Sequence, residues 1–78
     1  MDKKLFEDNR LKETLDVVGI TQTKLTRLCE ELAESISVGT INKICTRKIS
    51  PSDRHKNIIV RVINKYLKED KYAIDDIF

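Results

Sequence analysis

The chain has 78 residues, 36% of them charged and 40% hydrophobic, with a formal net charge of +2. That length holds one domain, expected to span residues 1–78, and a chain so short buries only about 60% of the surface its unfolded form exposes, so stability rests on one compact core or a partner subunit. No apolar run approaches the ~20 residues of a membrane span, and "MDKKLFEDNR" lacks the apolar centre of a signal peptide, so a cytoplasmic protein is expected.

Strand signals are nearly absent, whereas apolar residues recur with the helical period, which predicts an all-α chain of four to five helices. In the first helix Leu11, Leu15 and Val18 share a face, and Gly19 supplies a stop. Leu5 and Phe6 lie upstream and allow an earlier start. The second helix opens at Thr21, a good N-cap residue, and carries Leu25, Leu28, Cys29 and Leu32 as its apolar stripe. That stripe can be continued to Ile36, which leaves the end of the helix open.

A third helix is expected from Ser37 as N-cap. Ile41, Ile44 and Cys45 point inward in it, and Gly39, Thr40, Asn42, Lys43, Thr46 and Arg47 face outward or sit at the edge. Pro51 marks a turn. Ser52 then caps the most apolar helix, with Ile58, Ile59, Val62, Ile63, Tyr66 and Leu67 on one broad side. The closing "AIDDIF" places Ile74, Ile77 and Phe78 at i, i+3 and i+4, a spacing that lets one helical turn close over the core.

Charge is unevenly spread. Residues 19–65 hold nine Lys/Arg against four Asp/Glu, a local +5, while residues 1–18 sum to −1 and residues 66–78 to −2. A basic middle favours an anionic partner on one face; a solvated, mixed-charge surface is the plainer reading. Cys29 and Cys45 fall on apolar faces and read as buried thiols. With His55 they supply too few ligands for zinc, so no cofactor and no small-molecule ligand are expected. No nucleophile–base set, phosphate loop or carboxylate pair stands out, so the chain is not expected to be an enzyme.

Four stretches taken in order carry a resemblance: "GITQTKL" (Gly19 to Leu25), "SVGTINKI" (Ser37 to Ile44), "KISPS" (Lys48 to Ser52) and "AIDDIF" (Ala73 to Phe78). Together they resemble the phage repressor and Cro-like helix-turn-helix domain, the XRE family, over roughly residues 9–78. The resemblance implies a lambda-repressor-like fold with its helix-turn-helix unit at about 21–46, and a small repressor as the function. The chain departs from the family pattern in the long acidic connection between Cys29 and Ser37, in Thr26 where a small alanine is usual, and in Thr14 at a usually apolar position.

On that resemblance the third helix enters the major groove of double-stranded DNA. Val38, Gly39, Asn42 and Lys43 are then the base-contacting positions, Asn42 suited to adenine and Lys43 to guanine. Thr21, Gln22, Thr23, Lys24, Thr40, Arg47, Lys48, Ser50 and Arg54 are the phosphate-contacting set. Glu30, Glu31 and Glu34 would repel phosphates and are expected to face away. Operator-binding relatives commonly act as two-fold dimers, so a homodimer is expected, with the exposed part of the fourth helix together with Tyr66, Tyr72 and Phe78 as candidate interface; the plainer alternative is that these aromatics only seal the core. The alternative is a protein-interaction module on the same fold that no longer reads DNA, suggested by Val38, Gly39 and the long acidic connection ahead of the third helix.

Overall fold

A computed structural model describes residues 9–32 and 35–78 and contains α1 (Leu11–Val18), α2 (Gln22–Glu31), α3 (Val38–Cys45), α4 (Asp53–Leu67) and α5 (Ile74–Ile77). No strand occurs among the described residues. The Cα radius of gyration, 11.9 Å, is close to the ~11.5 Å expected of a compact domain of this length.

Local chemistry explains most helix boundaries. Thr21, Ser37 and Ser52 each sit in extended conformation with the side-chain oxygen accepting from the backbone N–H three residues on, at 3.0, 3.2 and 3.2 Å. Each thereby satisfies one of the donors that a helix start leaves without a partner. Asp53 in the first turn of α4 complements the positive end of that helix. At Ala73 the arrangement is reversed: its N–H donates to Asp76 Oδ2 at 2.8 Å, closing the single turn of α5. Leu5 and Phe6, which allowed an earlier start to the first helix, lie outside the described residues.

α1 stops at Gly19, whose φ of 87° is left-handed. The N–H groups of Gly19 and Ile20 both donate to Leu15 O, at 2.8 and 3.1 Å. A Cβ at Gly19 would meet nothing within 4 Å, so a substitution here acts through backbone conformation alone. Gly19→Ala is therefore expected to cost about 1–2 kcal/mol, read as a lower urea midpoint at unchanged m-value. An unchanged midpoint would contradict a left-handed turn at this residue.

α2 ends sooner than its stripe suggests. Leu32 is the C-cap, and Ile36 reaches the core from the non-helical segment ahead of α3, 3% exposed. Burial requires an inward side chain, which an extended segment provides as well as a helix does. α2 packs most extensively on α4 and α3, α5 rests on α4, and α1 rests on α3. Leu11, Leu25, Ile41, Ile44, Ile59 and Ile63 are each fully buried in the shared core, with Ile77 closing it from α5. Thr14, 6% exposed, faces inward.

The three aromatics expected to form one exposed surface do not do so. Asn64 brackets Tyr72, its amide donating to Tyr72 O at 2.8 Å and its carbonyl accepting from Tyr72 N–H at 3.0 Å. Tyr72 and Phe78 pack against the core, and Tyr66 alone is left 41% exposed. Reaching the core satisfies a large ring better than water does, and the short α5 connection holds both within reach.

Cys29 and Cys45 are both buried and not joined in a disulfide. Burial pushes the Cys45 thiol up; Lys12 opposes the shift, and Glu13 and Asp16 add to it. The thiolate is thus disfavoured in the folded state, which predicts slow alkylation at neutral pH and rapid alkylation in denaturant. The sign for stability follows from the raised folded value. The Cys45 contribution is complete below the unfolded thiol's ~8.5 and is lost as pH rises through the higher folded value. Equal alkylation rates in native and denaturing buffer would overturn this burial.

Candidate nucleic-acid interface

The outer face of α3 is an unobstructed polar surface. Ile41, Ile44 and Cys45 are buried beneath it, and Val38, Gly39, Asn42, Lys43 and Thr46 are exposed, with Thr40 at the edge. All four base-contacting candidates thus lie on the solvent side. Val38 is 44% exposed. A Cβ at Gly39 would touch only Ser37 Oγ, at 3.9 Å, so the surface beside it is open. From Ser35 to Ser52 the chain carries Lys43, Arg47 and Lys48 and no acid.

The start of α2 is drawn against this face. Asn42 Nδ2 donates to Gln22 Oε1 at 3.2 Å, joining side chains twenty residues apart. Asn42 keeps its carbonyl oxygen and a second N–H, and Gln22 keeps its amide donors. Thr21, Gln22 and Thr23 share a shallow recess with Val38, and Lys12 and Asp16 of α1 form its other wall. Lys24 is exposed one residue further on. The recess therefore places a helix N-terminus, with its outward N–H groups and positive dipole end, next to the first turn of α3.

The second flank is the connection into α4. Lys48 and Ser50 are exposed, Pro51 is buried, and Arg54 is exposed in the first turn of α4. Arg47 is placed differently from expectation. α3 ends at Cys45, and Arg47 lies past it with a left-handed φ of 62°. The reversal of the chain carries its guanidinium toward α1. There Nη2 donates to Asn9 O at 2.9 Å and lies 3.7 Å from Glu13 Oε2. Its charge is engaged with the N-terminal segment rather than presented on the outer face of α3.

The acids divide. Glu31 follows Gln22 by nine residues, about half a turn round α2 and about 13 Å along it, and it borders Lys65, Tyr66 and Lys68 of α4. It faces away from α3. Glu30 is exposed on the flank continued from Gln22 and Thr26, about 12 Å from Gln22 along the axis. Glu34 lies outside the described residues.

Two contributions were not visible in the sequence reading. Lys12 stands at the edge of the recess with no motif to mark it, and only the spacing of the outer face of α1 hints at its side. Asn9, 2% exposed, ties three elements together. Its Oδ1 accepts from Leu11 N–H at 3.0 Å, its Nδ2 donates to Ile44 O at 2.9 Å, and its carbonyl takes the Arg47 bond. It takes the N–H of the first residue of α1 and adds a donor to the Ile44 carbonyl at the end of α3, which Arg47 N–H also reaches at 3.1 Å. An Asn just ahead of a helix is a capping signal; its reach to residue 44 is tertiary and leaves no local trace.

No protein-family model, no curated protein and no solved structure matches the chain.

Proposed function

We propose that the protein is a sequence-specific transcriptional regulator of the small repressor type, in which α2 and α3 act as a helix-turn-helix and α3 lies in the major groove of double-stranded DNA. The observation that carries the reading is the exposed, acid-free face of α3 with the N-terminus of α2 locked beside it through Gln22 and Asn42. A groove-binding helix must present polar side chains at its centre and phosphate-binding groups to either side. Asn42 and Lys43 supply the centre, with Val38 offering a contact to a thymine methyl and Gly39 allowing close approach. Thr21, Gln22, Thr23 and Lys24 serve one backbone, and Lys48, Ser50 and Arg54 serve the other, with Thr40 at the edge of the helix. Arg47 acts on DNA only through the packing it gives to the end of α3.

Selection from a pool of random duplexes, followed by titration in a salt series, tests the reading. An enriched motif is expected. About three neutralised phosphates per subunit, at Lys24, Lys48 and Arg54, give a log–log salt slope near −3. Loss of all duplex binding, or binding indifferent to salt, would contradict it.

Val38 and Gly39 favour one other reading, a protein-interaction module. An exposed valine beside a glycine offers little hydrogen bonding to bases but a serviceable apolar contact to a protein. Failure of the duplex selection, together with a protein partner that is lost on Val38→Glu, would support that reading instead.

A further inference from the structure

From Arg54 to Lys68 the chain carries Arg54, Lys56, Arg61, Lys65 and Lys68 and no acid. Arg61, Lys65 and Lys68 stand at i, i+4 and i+7, so they share one face of α4, and all three are exposed. They line one open recess, which Glu69 and Asp70 close at the end of the helix. On the other side Lys65 and Lys68 border Glu31, with Tyr66 41% exposed beside them. Among the described residues, none of the three cations finds an ion-pair partner in its own chain. Like charges at these spacings destabilise a helix. The helix dipole accounts for cations in the last turn, but Arg61 lies ahead of that turn, where the dipole has faded.

We propose that this line of cations docks an acidic polypeptide segment of a partner protein, outside the DNA-binding face. An anionic occupant would relieve the repulsion that the three side chains carry alone. Two features select a single chain over a duplex. Glu31 stands on one side of the line and Glu69 and Asp70 on another, so the broad surface of a duplex would press phosphates onto carboxylates, whereas one extended chain fits between them. Tyr66 adds an amphipathic ring of the kind enriched where proteins meet. The spacing also suits an extended segment. Its same-face carboxylates recur about every 7 Å, and the three cations follow one another at about 5–6 Å along α4. Arg61 lies about 10 Å along the helix from Arg54, the nearest of the proposed phosphate contacts on α4, so both sites can be filled together. Docking here would join a partner to the DNA-bound protein, but the docking itself does not rest on DNA binding.

Titration of the labelled full chain with a capped nonapeptide, glutamate at alternate positions and phenylalanine at its centre, tests the proposal. Low salt is used, because surface charges are then least screened. Saturable amide shifts are expected on Arg61 to Lys68. The same peptide with glutamine in place of glutamate is expected to bind at least about tenfold more weakly, since the charge contacts are gone. A variant combining Arg61→Ser, Lys65→Ser and Lys68→Ser is expected to lose affinity for the acidic peptide by at least about tenfold. All three positions are exposed, so its urea midpoint should not fall, which separates lost docking from lost fold. Absence of saturable binding up to about 1 mM peptide would overturn the proposal. So would shifts centred on α3, a glutamine peptide that binds as well, or unchanged affinity in the variant. A duplex of arbitrary sequence that shifts Arg61 to Lys68 more than the peptide does would also overturn it, by marking the line as a nucleic-acid contact.

Discussion

Replacing Asn9 by alanine is expected to lower stability by about 1–3 kcal/mol, because a buried backbone N–H loses its partner and a buried carbonyl loses one of two. Leu11 N–H is the group left behind, Ile44 O keeps only the bond from Arg47 N–H at 3.1 Å, and Asn9 itself is 2% exposed, so water does not readily replace the lost amide. A domain of this size has only about 4–12 kcal/mol to lose. The effect should therefore appear as a large shift in both the urea midpoint and the thermal midpoint. It should also loosen the end of α3, raising amide hydrogen exchange there before global unfolding. A cost below about 0.5 kcal/mol, the scale of an ordinary surface change, would show that Asn9 is not the clasp its bonds describe.

The second large effect separates base reading from phosphate binding. Asn42→Ala is expected to reduce affinity for the selected duplex by about 1–3 kcal/mol, roughly 5- to 150-fold, while affinity for unrelated duplexes stays within about twofold. The salt slope should not change, since no phosphate contact is removed. Lys48→Ala should do the opposite: weaken all duplexes alike and reduce the salt slope by about one. The contrast is informative because Asn42 and Lys48 flank the same helix end and neither side chain is buried. An Asn42→Ala variant that weakens every sequence equally would mean that Asn42 supports Gln22 rather than reads a base.

The parts of the fold that were legible in the sequence are the parts decided within a few residues. Thr21, Ser37 and Ser52 cap helices because a hydroxyl can reach a backbone N–H three positions on in any context. Gly19 ends α1 because a left-handed residue there suits glycine. The stripes of α2 and α4 are periodic, and periodicity survives without knowledge of the partner helix. Ile36 lay beyond that logic: its side chain is buried, but its backbone has left the helix, and an apolar stripe alone cannot distinguish the two. Arg47 read as an outward cation because the end of α3 was set by pattern; two residues fewer of helix send it back to Asn9 and Glu13. Tyr72 and Phe78 were grouped with Tyr66 by chemical type, whereas their burial is set by how Asn64 turns the chain toward α5.

The candidate site followed the same division. The exposed positions of α3 were readable from one helical wheel. The Gln22–Asn42 bond, the wall formed by Lys12, and the placement of Glu31 beside Lys65 and Lys68 come from packing between elements. They depend on the angles at which α1, α2 and α4 meet α3, which no short stretch of sequence encodes.

The most direct measurement is a map of backbone amide shifts during titration of the labelled protein with its selected duplex. Perturbations are expected on Val38 to Thr46, on Thr21 to Lys24 and on Lys48 to Arg54, fading as salt is raised. A map that leaves α3 untouched, or that centres on Arg61 to Lys68 at the far end of α4, would contradict the placement of α3 in the major groove.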